Sequence, residues 1–353
     1  MISLPTTSTP VVLPHFQRRG RGVYFLIDRR PVTTLSASET VLFDSIDGML
    51  SIRDLSREHK AAPAVVARWK AKGILCLIPK TDRPMDGPHV VIVEPHMDDA
   101  LLSLCGSLLR RRHVRITILS MVRWSTCTSY EYVGRYEFSD VDRVSELRLA
   151  ESRLAARSIG ANHAVLEEYD GPLLAYTDAN GVVSRQAVRM RIHESRRGIE
   201  SRRDRWVAEQ ALGIWPDDTA RLASEFRRAF ESLKPDELWV PMGIGHFDHV
   251  RARRGCLSCM MLDPGRFERC KIYLYADVPY CGRYPDVSAA IEESLIAAGV
   301  KLERFTEDIS SEYDRKMEIL GVYASQWKIA HMMSQIPTTE AFVRVTSLPS
   351  RDS

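Results

Sequence analysis

Two short clusters of histidine and aspartate stand out in this chain of 353 residues, because each places several possible metal ligands within four consecutive positions. The residues concerned, in chain order, are His96, Asp98, Asp99, His246, Asp248 and His249. Imidazole nitrogens and carboxylate oxygens are protein ligands of catalytic zinc ions, which keep one further position for water. A turn of this kind can also be a helix cap, in which aspartate accepts hydrogen bonds from the backbone. The occurrence of two such clusters favours a shared metal site.

Each cluster comes shortly after an apolar segment that is ended by a proline. Residues 90–93 are β-branched and are followed by Pro95, and residues 238–240 are followed by Pro241. Such apolar runs predict buried strands, and proline ends them because it cannot donate to the sheet. The residues after each cluster have the apolar spacing of helices. Both clusters are therefore expected at strand-to-helix turns on the carboxyl edge of one parallel sheet, facing each other across a crevice.

The chain around these clusters resembles the PIG-L/LmbE-like family of zinc-dependent N-deacetylases. The family's motifs occur here in the family's order, as Pro-His-x-Asp-Asp, Arg-x-x-Glu, His-x-Asp-His, Tyr-x-Asp-x-Pro-Tyr and Tyr-x-Ser-Gln. The matching segments are residues 95–99, 148–151, 246–249, 275–280 and 323–326. Because the matches span about residues 88–345, the resemblance covers most of the chain.

The resemblance implies a metal centre in which His96, Asp99 and His249 are the ligands. One Zn²⁺ per chain is expected, with another divalent metal such as Fe²⁺ as the alternative. A zinc ion with three protein ligands activates its remaining water for attack on a carbonyl group. The implied reaction is hydrolysis of an N-acyl amide, most simply an acetamide, which releases acetate and a free amine.

The same resemblance implies catalytic roles for three neighbouring residues. Asp98 would be the general base that takes a proton from the attacking water and passes it to the leaving amine. His246 would stabilise the oxyanion of the tetrahedral intermediate. Asp248 would hold His246 in orientation and favour its protonated form.

Substrate contacts are expected from three further residues. Arg148 and Tyr280 lie in family motifs, and Tyr130 lies in a polar, aromatic segment, residues 123–138, that follows a predicted strand. Aromatic residues there could equally form a helix or subunit contact, and Arg148 with Glu151 could be an ordinary ion pair on a helix surface. The expected partner is a small N-acylated molecule, either an amino sugar or a natural-product intermediate linked to a sugar or a peptide.

The alternation of strands and helices predicts an α/β domain over residues 89–345, with a Rossmann-like, mostly parallel sheet and helices on both faces. Within it, an arginine-rich insertion is expected at about residues 176–218. Such a charge run is typical of a solvated helix face, and the alternative is a cap whose arginines bind a phosphate or carboxylate of the substrate. The last residues, 346–353, are predicted to be a flexible tail.

Residues 21–80 predict a small winged-helix-like α+β module, preceded by a flexible lead-in over residues 1–20 and followed by a linker over residues 81–88. The pattern of this module is similar to PqqD-like peptide-recognition domains, which implies a peptide partner. The module could instead be a lid or an oligomerisation arm that binds nothing, which leaves a homo-oligomer open. DNA binding has weaker support, because the third predicted helix offers only Arg68, Lys70 and Lys72.

The amino-acid composition makes several classes of partner improbable. A net charge of +3 is small against 49 basic and 46 acidic residues, so charge gives no case for a nucleic-acid partner. Seven scattered cysteines fit reduced thiols in the cytoplasm better than a disulfide framework. No apolar run approaches the length of about 20 residues that a membrane span needs, so no membrane partner is expected.

The leading hypothesis is therefore a cytoplasmic zinc-dependent N-deacetylase. The alternative from another class is a non-catalytic regulatory protein that binds peptide or DNA through its N-terminal module. In that protein the deacetylase-like domain would only sense a ligand. Retention of the complete set of ligands, with Asp98 and His246, weighs against this alternative.

Overall fold

The computed structural model describes residues 5–26, 29–79, 83–84, 86–125, 141–171, 218–326 and 335–347. The strands in these ranges are β1 (Thr9–Val12), β2 (Phe16–Arg19), β3 (Gly22–Phe25), β4 (Pro31–Thr34), β5 (Leu75–Ile78), β6 (His89–Glu94), β7 (Arg115–Trp124), β8 (Asn162–Tyr169), β9 (Glu237–Pro241), β10 (Lys271–Tyr275), β11 (Lys301–Asp308) and β12 (Thr339–Ser347). The helices are α1 (Ala37–Asp44), α2 (Ile52–Glu58), α3 (Ala62–Ala71), α4 (Asp99–Arg110), α5 (Val141–Ser158), α6 (Thr219–Leu233), α7 (Phe247–Leu262), α8 (Pro264–Phe267), α9 (Tyr280–Arg283), α10 (Pro285–Ala297) and α11 (Tyr313–Leu320).

A seven-stranded sheet in the order β11-β12-β10-β9-β6-β7-β8 forms the centre of the larger domain. Strands β10, β9, β6, β7 and β8 are mutually parallel. Strand β12 runs antiparallel to β10, and β11 antiparallel to β12, at one edge. The predicted fold class, an α/β domain with a mostly parallel sheet, is therefore confirmed.

Alternation along β6 explains why the sheet is covered on both faces. Val90 and Ile92 pack in one core, with residues of α4, α5 and α11. Val91 and Val93 pack in the other core, with residues of α6 and α7. Successive side chains of a strand point to opposite faces, so four consecutive apolar residues require an apolar layer on each side. Helices lie on both faces, as expected.

The N-terminal part contains helices α1 to α3, a two-stranded sheet of β1 and β5 and a three-stranded sheet of β2, β3 and β4. Ser36 and Ser51 start α1 and α2 through capping boxes with Glu39 and Asp54, which satisfy backbone N–H groups at each helix start. A separate apolar core around the buried Trp69 holds these elements together. Its winged-helix character stays a prediction.

The expectation of a flexible lead-in over residues 1–20 is wrong for residues 9–19. These residues form β1, which pairs with β5, and β2, which pairs with β3. Their serine, threonine and proline content suggested a loose segment, but Pro10 is tolerated because a two-stranded sheet consists only of edge strands. Residues 346 and 347, which were expected in the flexible tail, belong to β12 instead.

The N-terminal part packs directly on α5 and α11 of the larger domain. Phe25 shares an apolar cluster with Val144 and Leu147 of α5. The Lys70 ammonium group lies 2.9 Å from Glu318 of α11. Since Lys70 is one of the few basic side chains of α3, this contact weakens the case for α3 as a DNA-reading helix. Among the described residues, no helix combines the length and apolar character needed to cross a membrane.

Candidate metal centre

Strands β6 and β9 are parallel neighbours, and their carboxyl ends bring the two clusters together. The turn after β6 leads into α4, and the turn after β9 leads into α7. As a result, one ring nitrogen from each of His96, His246 and His249 lies within 4.8 Å of the others. The convergence expected from the strand-turn-helix pattern is therefore present.

Asp99 adds a carboxylate between two of these rings. Its Oδ2 atom lies 3.1 Å from Nδ1 of His96 and 3.2 Å from Nε2 of His249. The same oxygen accepts a hydrogen bond of 2.8 Å from the backbone N–H of His96, which fixes the carboxylate in the turn. His96, Asp99 and His249, the three expected ligands, thus lie around one point.

The other ring nitrogen of His96 and of His249 faces a second carboxylate. Nε2 of His96 lies 3.2 Å from Oδ2 of Asp248, and Nδ1 of His249 lies 2.6 Å from Oδ1 of Asp277. A ring nitrogen that donates to a carboxylate carries the hydrogen, so the other nitrogen of a neutral ring presents its lone pair. Histidines that bind metals commonly have this outer hydrogen bond.

The donor set fits a divalent cation. Nε2 of His249 is buried and has no hydrogen-bond partner within the described ranges, although it faces Asp99. Burial alone would raise the pKa of Asp99, but the nearby charge of His249 holds it well below its ordinary value. Burial would likewise lower the pKa of His249, but Asp99 and Asp277 raise it well above its ordinary value. The site therefore stabilises positive charge at this point, and two nitrogens with one carboxylate are typical zinc ligands.

The capping alternative does not describe Asp98. This residue is the N-cap of α4, but its side chain makes no capping hydrogen bond. Glu94 instead accepts the N–H of Ala100 at 3.0 Å. The carboxylate of Asp98 is 5% exposed and lies 3.7 Å from a guanidinium nitrogen of Arg148. Asp98 is therefore oriented by a buried cation in the site.

The hydrogen bonding and the pKa of His246 differ from the expectation. It caps α7, and its Nδ1 accepts the backbone N–H of Asp248 at 3.1 Å, whereas the carboxylate of Asp248 is 3.8 Å from that nitrogen. Burial, and then repulsion from His96, lower the pKa of His246 to about 3. Asp248 raises the pKa of His246, as expected, but burial and repulsion from His96 outweigh this effect and keep the ring neutral. The neutral ring carries its hydrogen on Nε2.

Arg148 is buried beside the site rather than on a helix surface. Its Nη1 donates to Oγ of Ser125 at 2.8 Å, and this hydroxyl donates to Oδ2 of Asp170 at 2.6 Å. Burial raises the pKa of Asp170 to about 6. The structure thus places Arg148 next to Asp98 and ties it to the ends of two neighbouring strands.

Tyr280 closes one side of the cluster. Its ring centroid is 5.2 Å from that of His249 and 6.2 Å from that of His246. Gly245 has φ +72, and a Cβ atom there would lie 2.8 Å from the Tyr280 ring, so this turn position requires glycine. Tyr130 and nearly all of the arginine-rich insertion lie outside the described residues.

Two residues of the site were not anticipated from the sequence. Asp277 orients His249 and also accepts the N–H groups of Gly243 and Ile244, at 2.8 and 3.0 Å, which fixes the second turn. Arg251 donates to Asp248 at 2.7 Å. The position of Asp277 in a matched motif was a usable signal, whereas the helical spacing of Arg251 from Asp248 fits any surface ion pair.

No protein-family model and no curated protein matches this chain. Solved structures with similar folds include a zinc-inhibited form of teicoplanin deacetylase, at 14% identity and a TM-score of 0.48, covering 75% of this chain and 100% of that one. The deacetylase of the A40926 pseudoaglycone has 16% identity, a TM-score of 0.46 and coverages of 75% and 99%. The N,N'-diacetylchitobiose deacetylase from Pyrococcus horikoshii has 14% identity, a TM-score of 0.43 and coverages of 76% and 89%. At these scores the similarities carry no weight for the function of this chain.

Proposed function

We propose that this protein is a metal-dependent N-deacetylase of the PIG-L/LmbE type. Its substrate would be an N-acylated amino sugar or natural-product intermediate, from which it releases a carboxylate and a free amine. The observation that carries the proposal is that ring nitrogens of His96, His246 and His249 lie within 4.8 Å of one another, with the Asp99 carboxylate 3.1 Å from His96 and 3.2 Å from His249. Together with Asp98, this set combines metal ligands, a base and a hydrogen-bond donor, which are the groups that amide hydrolysis requires.

The proposed ligands are Nδ1 of His96, a carboxylate oxygen of Asp99 and Nε2 of His249. Asp248 and Asp277 occupy the other ring nitrogens, so each histidine is held in the tautomer and orientation that binding needs. A bound zinc ion would lower the pKa of a water molecule toward about 7 and polarise the amide carbonyl.

Asp98 would act as the general base. It lies in the same turn as two proposed ligands and is buried beside them, which places its carboxylate next to the proposed metal position. The Arg148 guanidinium at 3.7 Å stabilises the charge on Asp98 and limits its rotation. After attack, the proton held by Asp98 can pass to the leaving nitrogen, which cannot depart as an anion.

His246 would stabilise the oxyanion through the hydrogen on Nε2. Because its Nδ1 accepts a backbone N–H, the neutral ring already presents this donor, and protonation is not needed. A donor that is positioned before the reaction stabilises the developing charge without reorganisation, which is typically worth about 10²–10³ in rate. Tyr280 and Arg148 would form part of the substrate pocket, and Tyr130 remains a candidate for its wall.

The proposal is tested first by metal content. We expect about one zinc per chain in the purified wild type, by the single-site ligand set above, and loss of this metal in His249→Ala. Elemental analysis measures both, and amine release from N-acetylglucosamine and from N-acylated glycopeptides measures the reaction class. His113→Ala, which removes an exposed histidine outside the site, should keep its metal. A wild type that stays metal-free after zinc is supplied would contradict the proposal.

A further inference from the structure

Asp248 is a fully enclosed carboxylate beside the metal centre, since its exposed fraction is 0%. Its Oδ2 atom faces Nε2 of His96 at 3.2 Å and accepts the backbone N–H of Gly171 at 2.8 Å. Its Oδ1 atom accepts Nη1 of Arg251 at 2.7 Å. The two oxygens therefore have separate partners, and the guanidinium determines which oxygen faces His96.

Arg251 is itself buried, with 4% of its surface exposed, so its position is also determined by its partners. Its Nη2 and Nε donate to the two carboxylate oxygens of Asp218, at 2.6 and 3.3 Å. Asp218 in turn accepts Nη2 of Arg221 at 2.9 Å. A planar guanidinium held on both sides by carboxylates has little freedom to rotate, because its donors have a fixed geometry.

These contacts form a chain of alternating charges that starts at a proposed metal ligand and ends at Arg221 on the surface. From inside to outside it consists of His96, Asp248, Arg251, Asp218 and Arg221. The Arg221 side chain is 49% exposed, whereas the side chains of Asp248 and Arg251 are buried. A buried carboxylate without a partner is costly, so the inner part of the chain depends on Arg251.

We propose that Arg251 is a positioning residue for the metal centre, which fixes the orientation of His96 through Asp248 and is itself held by Asp218. Arg251 bonds to Asp248, Asp218 and the backbone carbonyl of Tyr169, and it would act on His96 through the carboxylate of Asp248. The inference rests on the proposed function and deepens it, because it names the residue that presents one ligand to the metal. A lysine cannot replace the guanidinium fully, since it cannot bridge two carboxylates with a rigid fork.

The test is a titration of the metal-free full-length chain with Co²⁺, whose visible absorption reports ligand geometry. For Arg251→Met we expect affinity to fall by about 10–100-fold, the usual effect of losing an outer hydrogen bond to a ligand, together with a changed absorption spectrum. Arg251→Lys should recover part of the affinity, because it keeps the charge. Arg254→Met removes an exposed arginine from the same helix and should match the wild type in both readouts.

A second comparison separates positioning from a general loss of stability. Asp218→Asn should weaken Co²⁺ binding in the same direction as Arg251→Met but less, and the double variant should resemble Arg251→Met, because both changes act through one chain of contacts. Circular dichroism and thermal unfolding identify any variant that fails to fold. If Arg251→Met does not fold, the lysine and Asp218→Asn variants carry the test.

Two results would overturn the inference. One is a folded Arg251→Met, or folded Arg251→Lys and Asp218→Asn variants, with the affinity and spectrum of the wild type. The other is a wild type that binds no Co²⁺, which would overturn the proposed metal centre as well. A third result would contradict only the proposed deacetylase activity. In that case the wild type would bind Co²⁺ with an affinity that depends on Arg251, but it would release no amine from N-acylated substrates.

Discussion

At the scale of single residues, a substitution of Asp98 can distinguish the catalytic step from metal binding. Asp98→Asn keeps the shape of the side chain but removes its ability to take up a proton at neutral pH. We expect turnover to fall by about 10²–10⁴, the usual contribution of a general base, while zinc content stays unchanged. Steady-state kinetics with parallel elemental analysis measures both quantities.

The matched control for this prediction is Asp286→Asn, which changes an exposed aspartate of α10 and should leave turnover as it is. Loss of zinc in Asp98→Asn would mean that Asp98 is a ligand. Full turnover with zinc retained would mean that the base is another group.

His163 on β8 gives a pH prediction that is separate from the metal centre. Burial lowers the pKa of its ring to about 4, from an ordinary value of 6.5. Its Nε2 lies 2.8 Å from Oγ of Ser120. The nearest carboxylate, Glu94 at 3.9 Å, offers no counter-charge below neutral pH, because burial raises its pKa to about 8. A proton on His163 is therefore disfavoured in the folded chain.

The sign of the effect follows from proton binding. The unfolded chain takes up a proton near pH 6.5 and the folded chain only near pH 4, so acidification between these values favours unfolding. This ring should lower the free energy of unfolding by about 2 kcal/mol between pH 7 and pH 5. Chemical unfolding of the wild type and of His163→Gln at both pH values measures this. An equal loss of stability in both proteins would show that other groups cause it.

At the scale of elements, α5 connects the N-terminal part to the candidate site. One side of the helix carries Arg148, which lies 3.7 Å from Asp98. Neighbouring positions, Val144 and Leu147, pack against Phe25 of β3. Because one rigid helix makes both contacts, the packing of the N-terminal part also supports the position of the guanidinium.

This arrangement predicts a measurable cost for Leu147→Ala. The side chain is 6% exposed, so its truncation leaves a cavity and should lower the free energy of unfolding by about 2–4 kcal/mol. Leu262→Ala makes the same chemical change at a position that is 62% exposed, and its effect should stay within about 0.5 kcal/mol. Thermal unfolding compares the two. Similar losses for both variants would show that the junction is loosely packed.

At the scale of the whole molecule, the sequence predicted the centre of the sheet better than its periphery. The runs at residues 90–93 and 238–240 are apolar throughout, which is the pattern of strands buried on both faces. Strand β11 was not predicted, because its side chains are mostly exposed and polar, and its identity as a strand depends on pairing with β12. Strand β1 was missed for a similar reason, since its partner β5 lies far along the chain.

The candidate site was also predicted in part, because local patterns indicated some of its contacts and not others. The residue types and spacing of the two clusters predicted which side chains converge, because strand-to-helix turns at one sheet edge have few possible arrangements. The sequence predicted the contact of Asp248 with His246 but not its shorter contact with His96. Asp248 is also bonded to Gly171 and Arg251, and their approach comes from tertiary packing that no local pattern reveals.

The hydrogen bonds of Gly171 and the ion pair of Asp218 have a consequence for how the chain can vary. These two residues flank residues 172–217, and both are attached to Asp248, the first directly and the second through Arg251. The entry and exit of the intervening stretch are thus held near one another. Both ends are therefore anchored to a carboxylate that faces the proposed ligand His96, so substitutions at Gly171 or Asp218 should affect this ligand although neither residue contacts it directly.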